Sequence, residues 1–161
     1  SLQAAVLAHA LAVIARDEFD RDVDPERVMA LAVFHDASEV LTGDLPSPIK
    51  HHDPDLSSVY GRIEAAARTR LTAMLPKNLQ ETYRPLLAGD DRPEHMQLVK
   101  AADKLCSYLK CLEELKSGNE EFTYARDVIE REIEAIDLPE VGWFMDRFVA
   151  SFSLTLDELN K

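Results

Sequence analysis

Val28-Met29-Ala30-Leu31-Ala32-Val33-Phe34-His35-Asp36-Ala37-Ser38-Glu39 begins as an unbroken apolar run and gathers three ionisable side chains at its end. Asp24 followed by Pro25 is a cap and first-turn signature, so a helix is expected from Pro25 to about Leu41. A helix that is apolar nearly all round is a buried one. Val28, Leu31, Ala32, His35 and Glu39 fall at helical spacing, so His35 and Glu39 prolong the buried stripe, with Asp36 beside them. Polar groups brought into such a place must be hydrogen-bonded, neutralised or bound to a metal, because unpaired burial is costly. Taken alone, these residues admit two readings. One is a core histidine bonded to neighbouring carboxylates; the other is part of a divalent-metal site, for which His with carboxylates is common material.

The rest of the chain reads as further helices. Ser1 to about Arg16 carries Leu2, Ala5, Val6, Ala8, His9, Ala12 and Val13 in helical spacing. Thr42-Gly43-Asp44-Leu45-Pro46-Ser47-Pro48 breaks the second helix and forms a constrained loop. A third helix is expected over Asp55 to Met74, a short fourth after Pro76, and a long fifth from Pro93 to Lys116, ended by Gly118. A sixth follows from Glu120 to Ile136, and a last one surrounds Trp143. Repeats, low-complexity tracts and a dividing linker are all missing from this pattern. The expectation is one all-α, single-domain helical bundle spanning residues 1–161.

With 161 residues, 46% of them hydrophobic, the chain can build a proper core. Its net charge of -12 argues against gripping a polymeric nucleic acid, which needs basic surface. A single nucleotide remains possible, because a bound cation can reverse the local sign of an acidic site. The sequence holds no apolar run long enough to span a membrane and no signal-peptide pattern. Because it begins with Ser1, it reads as processed, truncated or partial. Cys106 and Cys111 have neither zinc-knuckle nor redox-pair spacing. They read as buried free thiols in a reducing cytosol, so a cytoplasmic location is expected.

A second His-Asp pair, His52-Asp53, provides a control. It lies in a polar stretch flanked by prolines and reads as a solvated loop. Asp103 sits at the edge of the buried arc of the fifth helix, three residues after Lys100, so a solvated ion pair and a role as ligand both remain open. The acidic runs Glu113-Glu114 and Glu130 to Glu134 read as solvated faces. Trp143, Phe144, Phe148 and Phe152 read as core or an oligomer contact rather than a base-stacking platform.

His35-Asp36 with the later Asp103 resembles the HD-domain superfamily of metal-dependent phosphohydrolases. The block His35 to Pro46 is similar to the bacterial 5'-deoxynucleotidase family of the YfbR type. So are Lys100-Ala101-Ala102-Asp103, the run Tyr108 to Leu115, and the tail Phe148 to Glu158. The likeness implies an HD-type bundle that removes the 5'-phosphate from 2'-deoxynucleoside 5'-monophosphates, working as a homodimer. It implies His35, Asp36 and Asp103 as ligands of a divalent ion such as Mn or Co. It also implies Glu39 and Asp44 as the groups near the attacking water and leaving oxygen, with Asp44, Leu45, Pro46 and Ser47 touching substrate. Glu39 is the expected proton-transfer residue, since it shares a helical face with His35.

By the same likeness, the family's first metal-binding His would stand immediately before Ser1, and an upstream Arg-Trp substrate contact would precede it. His9 falls roughly opposite that position on the helix wheel and reads as a packing residue. Hydrolysis of another phosphate ester (a cyclic nucleotide or an alarmone) and a catalytically silent nucleotide-binding module are the competing readings.

Overall fold

The computed structural model describes residues 2–45, 54–89 and 91–159, and all its regular elements are helices. They are α1 (Leu2–Phe19), α2 (Pro25–Phe34), α3 (Glu39–Thr42), α4 (Pro54–Met74), α5 (Lys77–Ala88), α6 (Pro93–Lys116), α7 (Thr123–Glu134), α8 (Pro139–Phe148) and α9 (Leu156–Leu159). Two 3-10 segments, Glu120–Phe122 and Val149–Ser153, join the later ones. The all-α expectation is met throughout these residues.

The centre is α1. Its Ala5, Ala8, Ala12 and Ala15 are buried together with Leu7 and Leu11. Alanine is the strongest helix former, and its small side chain lets neighbouring helices approach closely. Against α1 pack α2, α6 and α8, and Leu31, Leu98, Leu105, Leu109 and Phe144 complete one continuous core. Burying a side chain of this size stabilises by about 1.5–3 kcal/mol. The helices that carry His35 and Asp103 are therefore both fixed against α1. The hairpin of α4 and α5 stands outside this core; in α4 only Ala67 and Thr72 are buried.

One expectation fails here. The second helix does not continue to Leu41; it ends at Phe34, and residues 35–38 form a turn before the single helical turn of α3. Ala37 N–H donates to Phe34 O at 3.0 Å and Glu39 N–H to Asp36 O at 2.9 Å, a three-residue spacing that tightens and then redirects the chain. Glu39 consequently does not share one continuous helical face with His35. The start of α2 agrees with the sequence: the Asp24 side chain accepts from Arg27 N at 3.0 Å.

An unanticipated clamp holds the start of α2 against the start of α6. Asp91 accepts from Arg27 Nε at 2.6 Å and lies 2.7 Å from His95 Nδ1, while Asp24 N–H donates to His95 Nε2 at 3.2 Å. An amide can only donate, so His95 Nε2 is the acceptor and Nδ1–H donates to Asp91. His9 is half-buried in α1, Cys111 is buried and Cys106 half-buried, and both thiols are free. No described helix is long and apolar enough to cross a membrane.

Candidate functional site

His35 occupies the C-cap of α2, where the last carbonyls of a helix lack partners. Its ring answers that lack, with Nδ1 2.7 Å from Ala32 O. A carbonyl can only accept, so Nδ1 carries the proton. This bond fixes the ring and turns Nε2 toward Asp36 Oδ2 at 2.9 Å and Asp103 Oδ1 at 3.3 Å. Asp103 reaches the pair from α6, directed to His35 rather than to Lys100. The three side chains expected to meet do meet, across 68 residues of sequence in the case of His35 and Asp103.

Their charges are coupled. Burial pushes Asp36 above the usual carboxylate range, and the negative charges of Asp103 and Asp44 add to that against the pull of His35. The hydrogen bond from His35 holds Asp103 below its ordinary value despite partial burial. For His35, burial opposes the charged ring, but the bonds to Asp103 and Ala32 O and the charges of Asp36 and Asp103 together raise its pKa. Two carboxylates crowd one imidazole, and the group is short of positive charge.

Donor chemistry and spacing suit a divalent ion. A neutral imidazole lone pair and two carboxylates are transition-metal ligands, and adjacent donors of an octahedral ion with bonds near ~2.1 Å stand about 3 Å apart. The observed 2.9 and 3.3 Å agree with that spacing. Even so, among the described residues no group of three or more His, Cys, Asp or Glu side chains is arranged so that it could hold a metal ion as it stands. The fit lies in the donors and their separation.

Around the trio opens a cleft of about 500 Å³, within the range of small-molecule sites. His35, Asp36, Ser38 and Glu39 form one side, Glu64 and Arg68 come from α4, Ala88 and Gly89 close the end of α5, and Met96, Val99, Lys100 and Asp103 come from α6. Gly89 has φ +62, and a Cβ there would meet Met96 Cε at 3.2 Å, so its lack of a side chain keeps that wall in place.

Glu39 lines the cleft although the helix breaks before it. Asp44 is exposed and is not among the lining residues, yet its charge reaches Asp36. Leu45 is half-buried, whereas Pro46, Ser47, His52 and Asp53 lie outside the described residues. Between α3 and Asp44, Gly43 takes φ 72 and ψ 167, a conformation nearly confined to glycine. Its carbonyl accepts from Thr42 Oγ1 at 2.9 Å and Tyr60 Oη at 3.0 Å, which sets the direction in which the chain leaves toward Asp44.

Sequence reasoning missed Glu64, Arg68, Gly89 and Met96, and it treated Lys100 only as a partner for Asp103. Lys100 and Asp103 do lie three apart on one helix, a signal that the cation shares the site. Glu64 and Arg68 are likewise four apart on α4, but nothing in the sequence says which way that face turns.

An all-α domain that brings a His-Asp pair at the end of one buried helix against an Asp of another has the architecture of an HD domain. The chain belongs to the YfbR-like 5'-deoxynucleotidase family, whose profile matches residues 1–152. It is 48% identical over 162 residues to the 5'-deoxynucleotidase PBPRA2627 of Photobacterium profundum, covering 99% of this chain and 83% of that protein. It is 49% identical over 161 residues to the 5'-deoxynucleotidase yfbR of Photorhabdus temperata, covering 99% and 82%. With the 5'-deoxynucleotidase of Yersinia pestis the identity is 50% over 163 residues, again covering 99% and 82%.

Proposed function

We propose that this chain is a divalent-metal-dependent phosphomonoesterase that removes the 5'-phosphate from 2'-deoxynucleoside 5'-monophosphates. The observation that carries the reading is the orientation of His35: its Nδ1 is consumed by Ala32 O, and its Nε2 meets Asp36 and Asp103 at the wall of a cleft of nucleotide size. Membership of the family, with near-full-length relatives named 5'-deoxynucleotidase, supports the choice of substrate. His35, Asp36 and Asp103 would hold a transition metal such as Mn or Co, which when bound supplies Lewis-acid polarisation of the phosphoryl group and acidifies water.

The protein's own groups do the remaining work. Arg68 and Lys100, the two long cationic side chains lining the cleft, attract and neutralise the phosphate dianion. Glu39 takes the proton from the attacking water, as its place in the cleft wall allows. By the family likeness, Asp44, on the loop that follows Gly43, serves the leaving oxygen, and Asp44, Leu45, Pro46 and Ser47 are the residues assigned to substrate contact. Products are the deoxynucleoside and inorganic phosphate.

Two further assignments belong to this reading. The chain pairs as a homodimer through the apolar segment after Trp143, where Phe148 and Phe152 are 41% and 40% exposed. It works in the cytoplasm, where both thiols stay reduced; recovery in a periplasmic fraction would refute this.

Phosphate release is the test. The chain loaded with Mn or Co is assayed on dAMP, AMP and a cyclic nucleotide, alongside metal analysis. Release from dAMP well above AMP is expected. Turnover of the cyclic nucleotide alone, or metal-independent turnover, would overturn the proposal.

A further inference from the structure

A second groove, of about 510 Å³, lies between α4 and α5, and it shares Arg68 and Ala88 with the catalytic cleft. We propose that it is a separate binding subsite for a phosphate or phosphomonoester dianion, held by Arg68 and Arg84.

The argument starts from charge. The chain has 30 acidic and 18 basic residues, so an arginine near its surface has abundant carboxylates to meet. Arg16, Arg21, Arg27, Arg92 and Arg126 each pair with one. Arg62, Arg68, Arg70, Arg84, Arg131 and Arg147 form no ion pair with any described carboxylate, and of these Arg68 and Arg84 come together as the lining of one groove. The catalytic cleft next to it is walled by Asp36, Glu39, Glu64 and Asp103, whereas among the described residues the α4–α5 groove has no Asp or Glu in its lining. Two guanidinium groups in a recess without a described carboxylate form a local positive site on an acidic molecule.

The donor inventory narrows the ligand. Thr69 Oγ1 and Thr72 Oγ1 give their protons to Ala65 O and Arg68 O on their own helix, at 2.9 and 3.0 Å. Gln80 Nε2 donates one proton to Leu75 O at 2.9 Å and keeps the other. The donors left facing the groove are thus Arg68, Arg84 and one Gln80 N–H. That set of donors suits an acceptor-rich oxyanion such as a phosphate, two of whose oxygens a planar guanidinium grips through paired N–H groups. The volume admits inorganic phosphate with room for an attached nucleoside. The subsite shares Arg68 with the catalytic cleft, so its test turns on Arg84, which lines this groove and not the cleft.

Calorimetric titration of the full chain, freed of metal on a chelating resin, tests it with inorganic phosphate and separately with dAMP. Arg84→Gln should weaken phosphate binding at this groove at least fivefold, Arg84→Lys should recover only part of it, and the groove site should persist in Lys100→Ala, which alters the neighbouring cleft alone. Far-UV circular dichroism confirms that the exposed Arg84 variants stay folded. If dAMP and phosphate bind alike, the groove reads the phosphate group alone; if dAMP binds tenfold tighter and Arg84→Gln abolishes the gain, it holds a nucleotide. No phosphate binding by the parent chain, indifference to Arg84→Gln, or loss in Lys100→Ala alone would overturn the subsite. The deoxynucleotidase assay is unaffected by any of these outcomes, so the two readings fail separately.

Discussion

At the scale of the residue, the decisive bond is the one from His35 Nδ1 to Ala32 O. It makes a helix end, a place of unpaired carbonyls, into the device that orients the ring nitrogen proposed as a ligand. The carboxylates beside it divide the labour, and the division can be measured. Asp103→Asn leaves a weaker neutral ligand and removes a charge that holds His35, so metal content and phosphate release should both be lost. Glu39→Gln keeps the trio intact and should retain metal while slowing turnover by roughly 10²–10⁴, the usual size of acid–base catalysis. Metal loss in Glu39→Gln would make that residue a ligand, and near-normal turnover would remove it from the mechanism.

At the scale of the element, the clamp between α2 and α6 fixes the relative position of the two helices that bear the site. Asp91 is its hub. Although partial burial works against the charged carboxylate, hydrogen bonds from Arg92 N–H, Arg27 and His95 hold its pKa below the ordinary range. A carboxylate with a depressed native pKa binds fewer protons folded than unfolded, so its contribution is present above the ordinary pKa of about 4 and vanishes as pH falls through the lowered value. Asp91→Asn should therefore cost about 2 kcal/mol near neutrality, the size of a charge-assisted hydrogen bond. That difference should shrink below about pH 4. Urea unfolding of both proteins from pH 7 to 3 checks the sign, and a gap that widened on acidification would contradict it.

At the scale of the whole molecule, the segment after Trp143 is among the apolar regions left exposed. Phe148, Phe152 and Leu154 are each at least 40% exposed, beside Phe144 in the core and Trp143 beneath Arg147. If this segment is the dimer contact, Phe148→Glu should convert a dimer of about 36 kDa to a monomer near the 18.1 kDa of the single chain while leaving the helical spectrum unchanged. Light scattering distinguishes the two, and a dimer indifferent to the substitution would move the contact elsewhere.

Much of this was determined by the sequence alone. Asp24-Pro25, Pro93 and Gly118 mark real helix ends because capping, proline geometry and left-handed glycine are local properties of the chain. The resemblance carried by His35-Asp36 and Asp103 named the trio that the fold assembles. What only the tertiary structure decided is everything that depends on which faces meet. The break after Phe34 is made by the three-residue backbone bonds of residues 34–39, beside the contacts of His35 with Ala32 O and Asp103, and no periodicity encodes it. Arg68 and Lys100 are ordinary surface cations in sequence; the packing of α4, α5 and α6 gives them a shared cleft. The Asp91 clamp joins residues 64 and 71 positions apart, and contacts at that range are created by folding, because local propensity is blind to partners the chain has not yet brought near.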